Sequence, residues 1–203
     1  ECAPIYGFPE ARGKEAQPVK SADHHPRPMK DRYVRQLSIP GFGPEAQRKL
    51  GRACVAVVGV GGLGSAALLY LAAAGVGRLV LIDDQKVEPS NLNRQIIHFE
   101  EDALLPRYKV ESARMKLQAF NSEIDVEAIP MRLEEETTFL LKGADLALDC
   151  MDGPAGRYLL NRCCLQRRIP LVHGGGGTHR PRPHRPARGA LPALRLPRPS
   201  RSG

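Results

Sequence analysis

The 203-residue sequence predicts an α/β fold, a Rossmann-like and mostly parallel sheet with helices on both faces. Two observations lead to this prediction. Short apolar runs rich in Val, Ile and Leu alternate with longer helical stretches, and the first run passes directly into a glycine-rich turn and a helix. This alternation is typical of parallel strands joined by crossover helices, which cover both faces of the sheet.

The glycine-rich turn lies in the stretch Cys54–Gly64, CVAVVGVGGLG, between a predicted strand at 53–58 and a predicted helix at 62–75. A phosphate-binding turn needs this order, because the glycines bring bare backbone N–H groups and the helix N-terminus against a phosphate. The candidate phosphate-binding residues are Gly59, Gly61, Gly62 and Gly64. The alternative is a buried strand–helix turn whose glycines serve close packing only.

The remaining elements follow the same alternation. In chain order they are a short helix at 44–50, a strand at 79–82, a helix at 107–120, a strand at 124–129, a short helix at 134–141, a strand at 145–149, a helix at 152–167 and a strand at 170–172. Helix 107–120 is amphipathic and is predicted to place Val110, Ala113, Leu117 and Phe120 on its apolar face.

The chain divides into three predicted regions. Residues 1–30 carry five prolines and no sustained apolar period, so we expect a flexible leader, with Met29 as a possible true start. Residues 31–177 form the nucleotide-binding domain. Residues 178–203 contain six prolines and seven arginines, and this composition predicts a disordered tail.

The formal net charge of +8 comes from that tail. Taking its seven arginines from the 30 basic residues leaves 23, against 22 acidic residues in the whole chain. We therefore expect no basic nucleic-acid-binding face on the domain. A non-enzymatic alternative treats the tail as a basic arm for nucleic acid or a protein partner, whose binding would fall steeply with salt.

The cysteine pattern and the hydropathy of the sequence indicate the cellular compartment to expect and whether a membrane span is present. The five cysteines, Cys2, Cys54, Cys150, Cys163 and Cys164, form no CxxC pair. This pattern favours neither a disulfide framework nor a zinc site, and we expect a reducing cytoplasm. The most apolar region, 55–82, is interrupted by glycines and Arg78, so no membrane span is predicted.

Polar residues with the chemistry of a nucleotide site follow the predicted strands. Asp83 ends the second strand, where a carboxylate can accept hydrogen bonds from ribose hydroxyls; a solvated acid at a strand end is the alternative. Arg94 and Lys109 suit phosphate oxygens, and Asn91 could bind phosphate or help to order a metal. Asp152 follows the fourth strand and suits Mg²⁺, which binds through few carboxylates plus phosphates.

Together these residues favour a triphosphate with magnesium. The alternative, a nicotinamide-dependent oxidoreductase, shares the glycine turn and Asp83 but leaves Arg94, Lys109 and Asp152 without a joint role.

Five segments resemble the ThiF/MoeB/HesA family of adenylyltransferases, which are relatives of the ubiquitin-activating enzymes. The segments are RYVRQ (32–36), GVGGLG (59–64), SNLNRQ (90–95), KVESA (109–113) and DCMDGPAGRYLLN (149–161). The resemblance spans about residues 31 to 175 and rests on ordered motifs at compatible spacing.

The resemblance implies a homodimeric enzyme that uses ATP and Mg²⁺. It would activate the C-terminal Gly-Gly carboxylate of a small ubiquitin-like sulfur carrier as an acyl-adenylate, in molybdopterin or thiamine biosynthesis. By the family pattern, Asp83 would hold the ribose, Arg94 and Lys109 the phosphates, and Asp152 the magnesium ion. Arg35 would reach into the ATP site of the partner subunit.

Three departures from the family pattern stand out. Gln85 occupies the second acidic position of the usual Asp-x-Asp, and Met151-Asp152-Gly153 replaces the usual Thr-Asp-Asn. Beyond residue 177 the family's remaining sheet, much of its carrier-binding surface and its CxxC zinc pairs do not follow. We therefore expect the C-terminal half of the family domain to be missing here through truncation or a frame change, with the activity of such a chain in doubt.

Overall fold

The computed structural model describes residues 32–174, and the predicted leader 1–30 and tail 178–203 lie outside them. The elements, in chain order, are α1 (Val34–Leu37), α2 (Gly43–Leu50), β1 (Cys54–Val58), α3 (Gly62–Ala74), β2 (Arg78–Ile82), a 3₁₀ helix (Pro89–Asn91), α4 (Glu100–Leu104), α5 (Lys109–Phe120), β3 (Asp125–Ile129), a second 3₁₀ helix (Glu135–Leu141), β4 (Leu146–Asp149), α6 (Pro154–Arg167) and β5 (Leu171–His173). Each predicted strand is present, with its bounds within a residue of those expected.

The five strands form one parallel sheet in the order β3-β2-β1-β4-β5. The chain runs outwards from β1 to β3 and then returns to the other side of β1 with β4. The crevice at such a reversal, outside the carboxyl ends of the strands, is where ligands bind in open α/β sheets. The predicted Rossmann-like class is therefore confirmed.

Side chains that alternate along the strands fill two separate hydrophobic clusters. One face of β1 and β2 packs against α3 and α5 through residues that include Val57, Leu68, Leu81 and Leu117. The opposite face packs against α6 and the second 3₁₀ helix, where Leu160 and Leu141 are fully buried. Both faces of the sheet are thus covered, as a parallel sheet requires.

Two helices begin later than predicted. Helix α5 starts at Lys109 rather than at 107, because Tyr108 is extended and pairs with Lys86 in an isolated antiparallel bridge. Helix α6 starts at Pro154, since proline lacks an N–H and favours the first helical position. Phe120, the last residue of α5, remains 45% exposed, whereas Val110, Ala113 and Leu117 are fully buried. The Arg32 guanidinium lies 6.0 Å from the Phe120 ring centroid.

Helices α1 and α2 lie at the C-terminal end of α3. The side chains of Gln36 and Gln47 both donate to the Ala74 carbonyl, at 2.8 and 3.0 Å. This end of α3 is remote from the glycine turn at its N-terminus. Among residues 32–174, no helix combines the length and apolar character that crossing a membrane demands.

Candidate functional site

The glycine turn joins β1 to α3 at the crevice. Gly59 has a φ of +94°, and a Cβ there would lie 2.7 Å from the Cys150 carbonyl oxygen at the end of β4. A Cβ on Gly64 would lie 2.1 Å from the Gly59 oxygen. Only glycine fits either position, because one needs left-handed backbone and both need backbone-to-backbone contact. Close packing therefore explains why Gly59 and Gly64 must be glycine, and their predicted phosphate contacts stay predictions.

Gly61 and Gly62 differ from those two glycines. A Cβ at either position would meet nothing closer than 3.7 Å, so packing does not require glycine there. Both precede or begin the first turn of α3, whose first backbone N–H groups have no partner within the helix. Bare backbone at this point fits an approaching phosphate, as the sequence predicts.

The backbone of Val60, within the turn, is held on both sides of its Cα, through the peptide groups that precede and follow it. Its N–H donates to Asp83 Oδ2 at 2.8 Å, and its carbonyl accepts a hydrogen bond from His98 Nε2 at 2.9 Å. The carbonyl can only accept, so Nε2 carries the ring proton. Burial lowers the pKa of His98, which keeps the ring neutral at physiological pH.

A cluster of polar and charged side chains around the buried Asp102 contacts the Nδ1 side of the His98 ring. The Ser112 hydroxyl lies 2.8 Å from both His98 Nδ1 and Asp102 Oδ2 and can donate to either. Asp102 also accepts hydrogen bonds from Lys116 and from Arg107, the latter at 2.6 Å. Burial alone would raise the pKa of Asp102, but hydrogen bonds led by that of Lys116 lower it to about 2. The carboxylate is therefore ionised.

A cavity of about 760 Å³ opens at the carboxyl edge of the sheet, beside the glycine turn. Five of the predicted site residues line it: Gly59, Gly61, Asp83, Lys109 and Asp152. The opposite wall comes from the segment 131–136 and the first turns of α6. The volume is of the size that small-molecule sites usually have.

Asp83 and Lys109 both line the cavity, and they differ in the hydrogen bonds that hold their side chains. Both oxygens of Asp83 accept backbone N–H groups, from Val60 and from Gln85, each at 2.8 Å. The carboxylate retains free lone pairs for a ribose hydroxyl, because each oxygen can accept more than one hydrogen bond. Lys109 is the first residue of α5 and is 4% exposed, with its ammonium group donating to Gln85 Oε1 at 2.7 Å.

Arg94 and Asn91 lie near the turn and are not among the residues that line the cavity. The Arg94 guanidinium donates to the Ser90 carbonyl at 2.9 Å and to the Asn93 side chain at 3.1 Å. Arg94 is nevertheless adjacent to α3, since a Cβ on Gly62 would lie 4.0 Å from its Cγ. Asn91 is buried, and its Oδ1 accepts the N–H of Glu88 at 3.2 Å. Their predicted phosphate contacts stay predictions.

Arg35 is far from this cavity. It belongs to α1, next to the C-terminal end of α3, and α3 has 13 residues, a length of about 20 Å. Its predicted role in the ATP site of a partner subunit stays a prediction.

Asp152 lies exposed between β4 and α6 and lines the cavity. Within the part of the chain that the structure describes, no three His, Cys, Asp or Glu residues come together as a metal site. A magnesium ion at Asp152 would therefore take most of its oxygen ligands from phosphates and water, which is how Mg²⁺ usually binds beside nucleotides.

Residues 33–180 match the ThiF family. The chain belongs to the ThiF family. It is 46% identical over 145 residues to a sulfur carrier protein adenylyltransferase from Thermus thermophilus, and 43% identical over 145 residues to the SAMP-activating enzyme E1 of Haloferax volcanii. Each alignment covers 71% of this chain and 53% of the relative. The chain thus spans about half the length of these ThiF-family relatives.

Solved structures agree with this family assignment. The tRNA N6-threonylcarbamoyladenosine dehydratase TcdA of E. coli aligns with a TM-score of 0.67 and 28% identity, over 72% of this chain and 61% of that one. A structure of TcdA in complex with ATP aligns with a TM-score of 0.62 and 30% identity, over 66% of this chain and 56% of that one.

Sequence reasoning missed one further group at this edge of the ThiF-family domain. The side chain of Asp149 is 2% exposed and lies 2.7 Å from His173 Nδ1 and 3.8 Å from Arg157 Nε. These residues belong to β4, β5 and α6. A strand-terminal Asp and a strand-terminal His are visible in the sequence, but their contact depends on the pairing of β4 with β5.

Two ion pairs on the cavity wall were also missed. Arg132 pairs with Asp84 at 3.3 Å, and Arg162 pairs with Glu135. Each pair joins residues at least 27 positions apart in the chain, so local sequence patterns gave no signal for them.

Proposed function

We propose that this chain provides the ATP-binding part of an enzyme that adenylates the C-terminal carboxylate of a small ubiquitin-like sulfur-carrier protein. The observation that carries the proposal is a single cavity lined by the glycine turn, the Asp83 carboxylate and the buried Lys109 ammonium. These are the groups needed for phosphates and ribose, and a relative at 46% identity is named a sulfur carrier protein adenylyltransferase.

The proposed reaction needs positioning more than proton transfer. A carrier carboxylate oxygen attacks the α-phosphorus, a new P–O bond forms, and the bond to the β-phosphate oxygen breaks to release pyrophosphate. The carboxylate is already ionised, so no general base is required. The protein's tasks are to align the reacting atoms and to stabilise charge on the phosphates, through the backbone N–H groups of Gly61 and Gly62 and through Lys109.

Magnesium would bind between Asp152 and the phosphates. When bound, the ion neutralises charge on the pyrophosphate leaving group. Asp152 suits this task because it is exposed at the cavity and has no ion-pair partner among residues 32–174 that would compete for its carboxylate. Arg94 would join the phosphates only after leaving its contacts with Ser90 and Asn93.

The finer features follow the family pattern. The carrier would end in Gly-Gly and serve molybdopterin or thiamine biosynthesis, and the enzyme would act as a homodimer with Arg35 completing the partner's site. We place it in the cytoplasm, because Cys54, Cys150, Cys163 and Cys164 are free thiols, as in a reducing compartment.

Calorimetric titration of the full chain with ATP and Mg²⁺, alongside NAD, tests the proposal. We expect Mg²⁺-dependent ATP binding and no NAD binding. Lys109→Ala should weaken ATP binding by about tenfold or more, because it removes a buried cation from the phosphate site. Asp152→Ala should reduce the Mg²⁺ dependence of binding. Lys142→Ala, at an exposed lysine that is not among the lining residues, is the matched control and should bind like the parent.

Each contrary result has a definite meaning. NAD binding without ATP binding would support the oxidoreductase alternative. ATP affinity unchanged in both Lys109→Ala and Asp152→Ala would refute the assignment of the site.

A further inference from the structure

We propose that Arg157 is a positioning residue: together with the buried Asp149 it fixes the loop that carries Asp152, and so sets how strongly the nucleotide-loaded site binds magnesium. The loop comprises residues 150–153, between β4 and α6. This inference rests on the proposed ATP function. Arg157 is not among the residues that line the cavity, whereas Asp152 is. We therefore expect Arg157 to act on the metal through the loop.

Met151, the residue before Asp152, is held at both of its peptide groups. Its N–H donates to Asp149 Oδ1 at 3.1 Å. Its carbonyl accepts two hydrogen bonds from the Arg157 guanidinium, from Nη2 at 2.6 Å and from Nε at 3.1 Å. The peptide group that joins Met151 to Asp152 is therefore held by a planar group with two donors, which restrains its direction as well as its position.

Asp149 is in turn fixed by two other elements. Its side chain is 2% exposed, and its Oδ2 lies 2.7 Å from His173 Nδ1 in β5 and 3.8 Å from Arg157 Nε in α6. Because these contacts engage Oδ2, Oδ1 is left facing the Met151 N–H. One buried carboxylate thus ties the loop to β4, β5 and α6.

Asp152 has no comparable support of its own. Its side chain is exposed, and none of the ion pairs found among residues 32–174 includes it. A Cβ on the next residue, Gly153, would meet nothing within 4 Å, so no close packing restrains the chain there. The position of the Asp152 carboxylate therefore depends on how Met151 is held.

Magnesium makes this position important. The ion requires near-ideal octahedral geometry, with oxygen ligands at about 2.1 Å, so a small displacement of its carboxylate ligand weakens binding. Residues that orient a metal ligand from outside the coordination shell usually have a large effect on metal affinity. Arg157 has this relation to Asp152, through the Met151 carbonyl.

Calorimetric titration of the full chain with ATP, over a series of Mg²⁺ concentrations, tests the inference. Arg157→Ala should raise by about tenfold the Mg²⁺ concentration that gives half of the full increase in ATP affinity. AMP, titrated without metal, should bind within about twofold of the parent, because its binding does not depend on a metal ligand.

Two further arginine variants supply a control and a second test. Arg167→Ala changes an exposed arginine of the same helix that donates to Thr138 and does not line the cavity, so it should behave like the parent. Arg157→Lys keeps the positive charge beside Asp149 but replaces the planar pair of donors with a single ammonium group. It should shift the Mg²⁺ dependence in the same direction as Arg157→Ala. Thermal melting reports whether each variant folds, and Arg157→Lys decides the matter if Arg157→Ala does not.

A double variant shows whether Arg157 acts through Asp152. In an Asp152→Ala background the carboxylate is already absent, so adding Arg157→Ala should change the Mg²⁺ dependence no further. An additional shift would mean that Arg157 acts by another route and would overturn the inference.

The outcomes separate the inference from the function on which it rests. A parent chain that binds no ATP overturns the proposed function and this inference together. If the parent binds ATP and both Arg157 variants respond to Mg²⁺ as the parent does, the role of Arg157 is wrong and the ATP site stands. Equal weakening of ATP and AMP binding would reduce Arg157 to a structural residue, with the same consequence.

Discussion

Asp102 shows how one buried acid can support a site that it does not touch. Its side chain is 1% exposed, and it accepts hydrogen bonds from Lys116, Arg107 and the Phe99 N–H. Through Ser112 it reaches His98, which in turn holds the Val60 carbonyl in the glycine turn. Asp102 is therefore connected through Ser112 and His98 to the backbone of the turn, and its lowered pKa is linked to folding.

This linkage predicts a specific acid dependence of stability. The pKa of Asp102 falls from 3.8 to about 2 on folding, so the native state favours the ionised form. The ionised carboxylate contributes about 2 kcal/mol to the free energy of unfolding above pH 4, and this contribution is lost as the pH falls towards 2. Urea unfolding of the parent and of Asp102→Asn at several pH values measures it.

Asp102→Asn should be less stable at pH 7 by about 2–4 kcal/mol, because it leaves Lys116 and Arg107 without their buried counter-charge. Its free energy of unfolding should also vary less than that of the parent between pH 4 and pH 2. Glu101→Gln is the control, since the Glu101 side chain is 74% exposed and its contact with Arg107 is long, at 4.0 Å. Equal acid dependence in the parent and in Asp102→Asn would contradict the assignment.

At the scale of elements, the packing of β1, α3 and β4 depends on two glycines. Gly64→Ala would press a methyl group against the Gly59 backbone, where a Cβ would lie 2.1 Å from the carbonyl oxygen. The helix must then move away from the strand, and we expect a loss of about 3 kcal/mol or more. Thermal or urea unfolding measures this loss.

Gly62→Ala is the matched control in the same turn. Its Cβ would meet nothing closer than 3.7 Å, so stability should stay within about 0.5 kcal/mol of the parent. If the two variants were equally stable, the close approach of α3 to β1 would not matter for the fold.

The elements themselves were largely predictable. Runs such as Val55–Val58 and the glycine turn after them are local signals, and the strands form where these signals occur. Helix starts were less predictable, because the start of α5 depends on a bridge between Lys86 and Tyr108, 22 positions apart. The helical period predicted the apolar face of α5 but not that Phe120, its last residue, would remain 45% exposed.

The candidate site was predictable in its residue types and less so in its contacts. Parallel strands end at one edge, so Asp83 and Asp152 were expected there and both line the cavity. The contacts of Lys109 with Gln85 and of Asp149 with His173 each span 24 positions. Such contacts follow from the tertiary arrangement, and sequence periodicity carries no information about them.

At the scale of the whole molecule, the position of Arg35 makes the proposed dimer testable. Arg35 lies beside the C-terminal end of α3, and its own cavity lies at the other end of that helix. If each site takes Arg35 from the partner, Arg35→Ala and Lys109→Ala damage the same site from different subunits. Mixed dimers would then hold one intact site and one doubly altered site.

We expect each of these variants alone to bind ATP weakly, and an equimolar mixture to recover about one quarter of the parent's tight sites after subunit exchange. The number of tight sites is read from calorimetric stoichiometry. Mixing Lys109→Ala with Lys109→Gln is the control and should recover none. The same lack of recovery with Arg35→Ala would contradict a role for Arg35 in the partner's site.

The double attachment of Val60 has a consequence for the thermodynamics of recognition. With the Val60 N–H bonded to Asp83 and the Val60 carbonyl bonded to His98, two consecutive peptide groups of the turn are already oriented before any nucleotide arrives. The turn loses its conformational entropy during folding, so nucleotide binding does not carry that cost in its own free energy. The Val60 amide should accordingly exchange slowly with deuterium in the ligand-free protein, and nucleotide binding should add little to that protection.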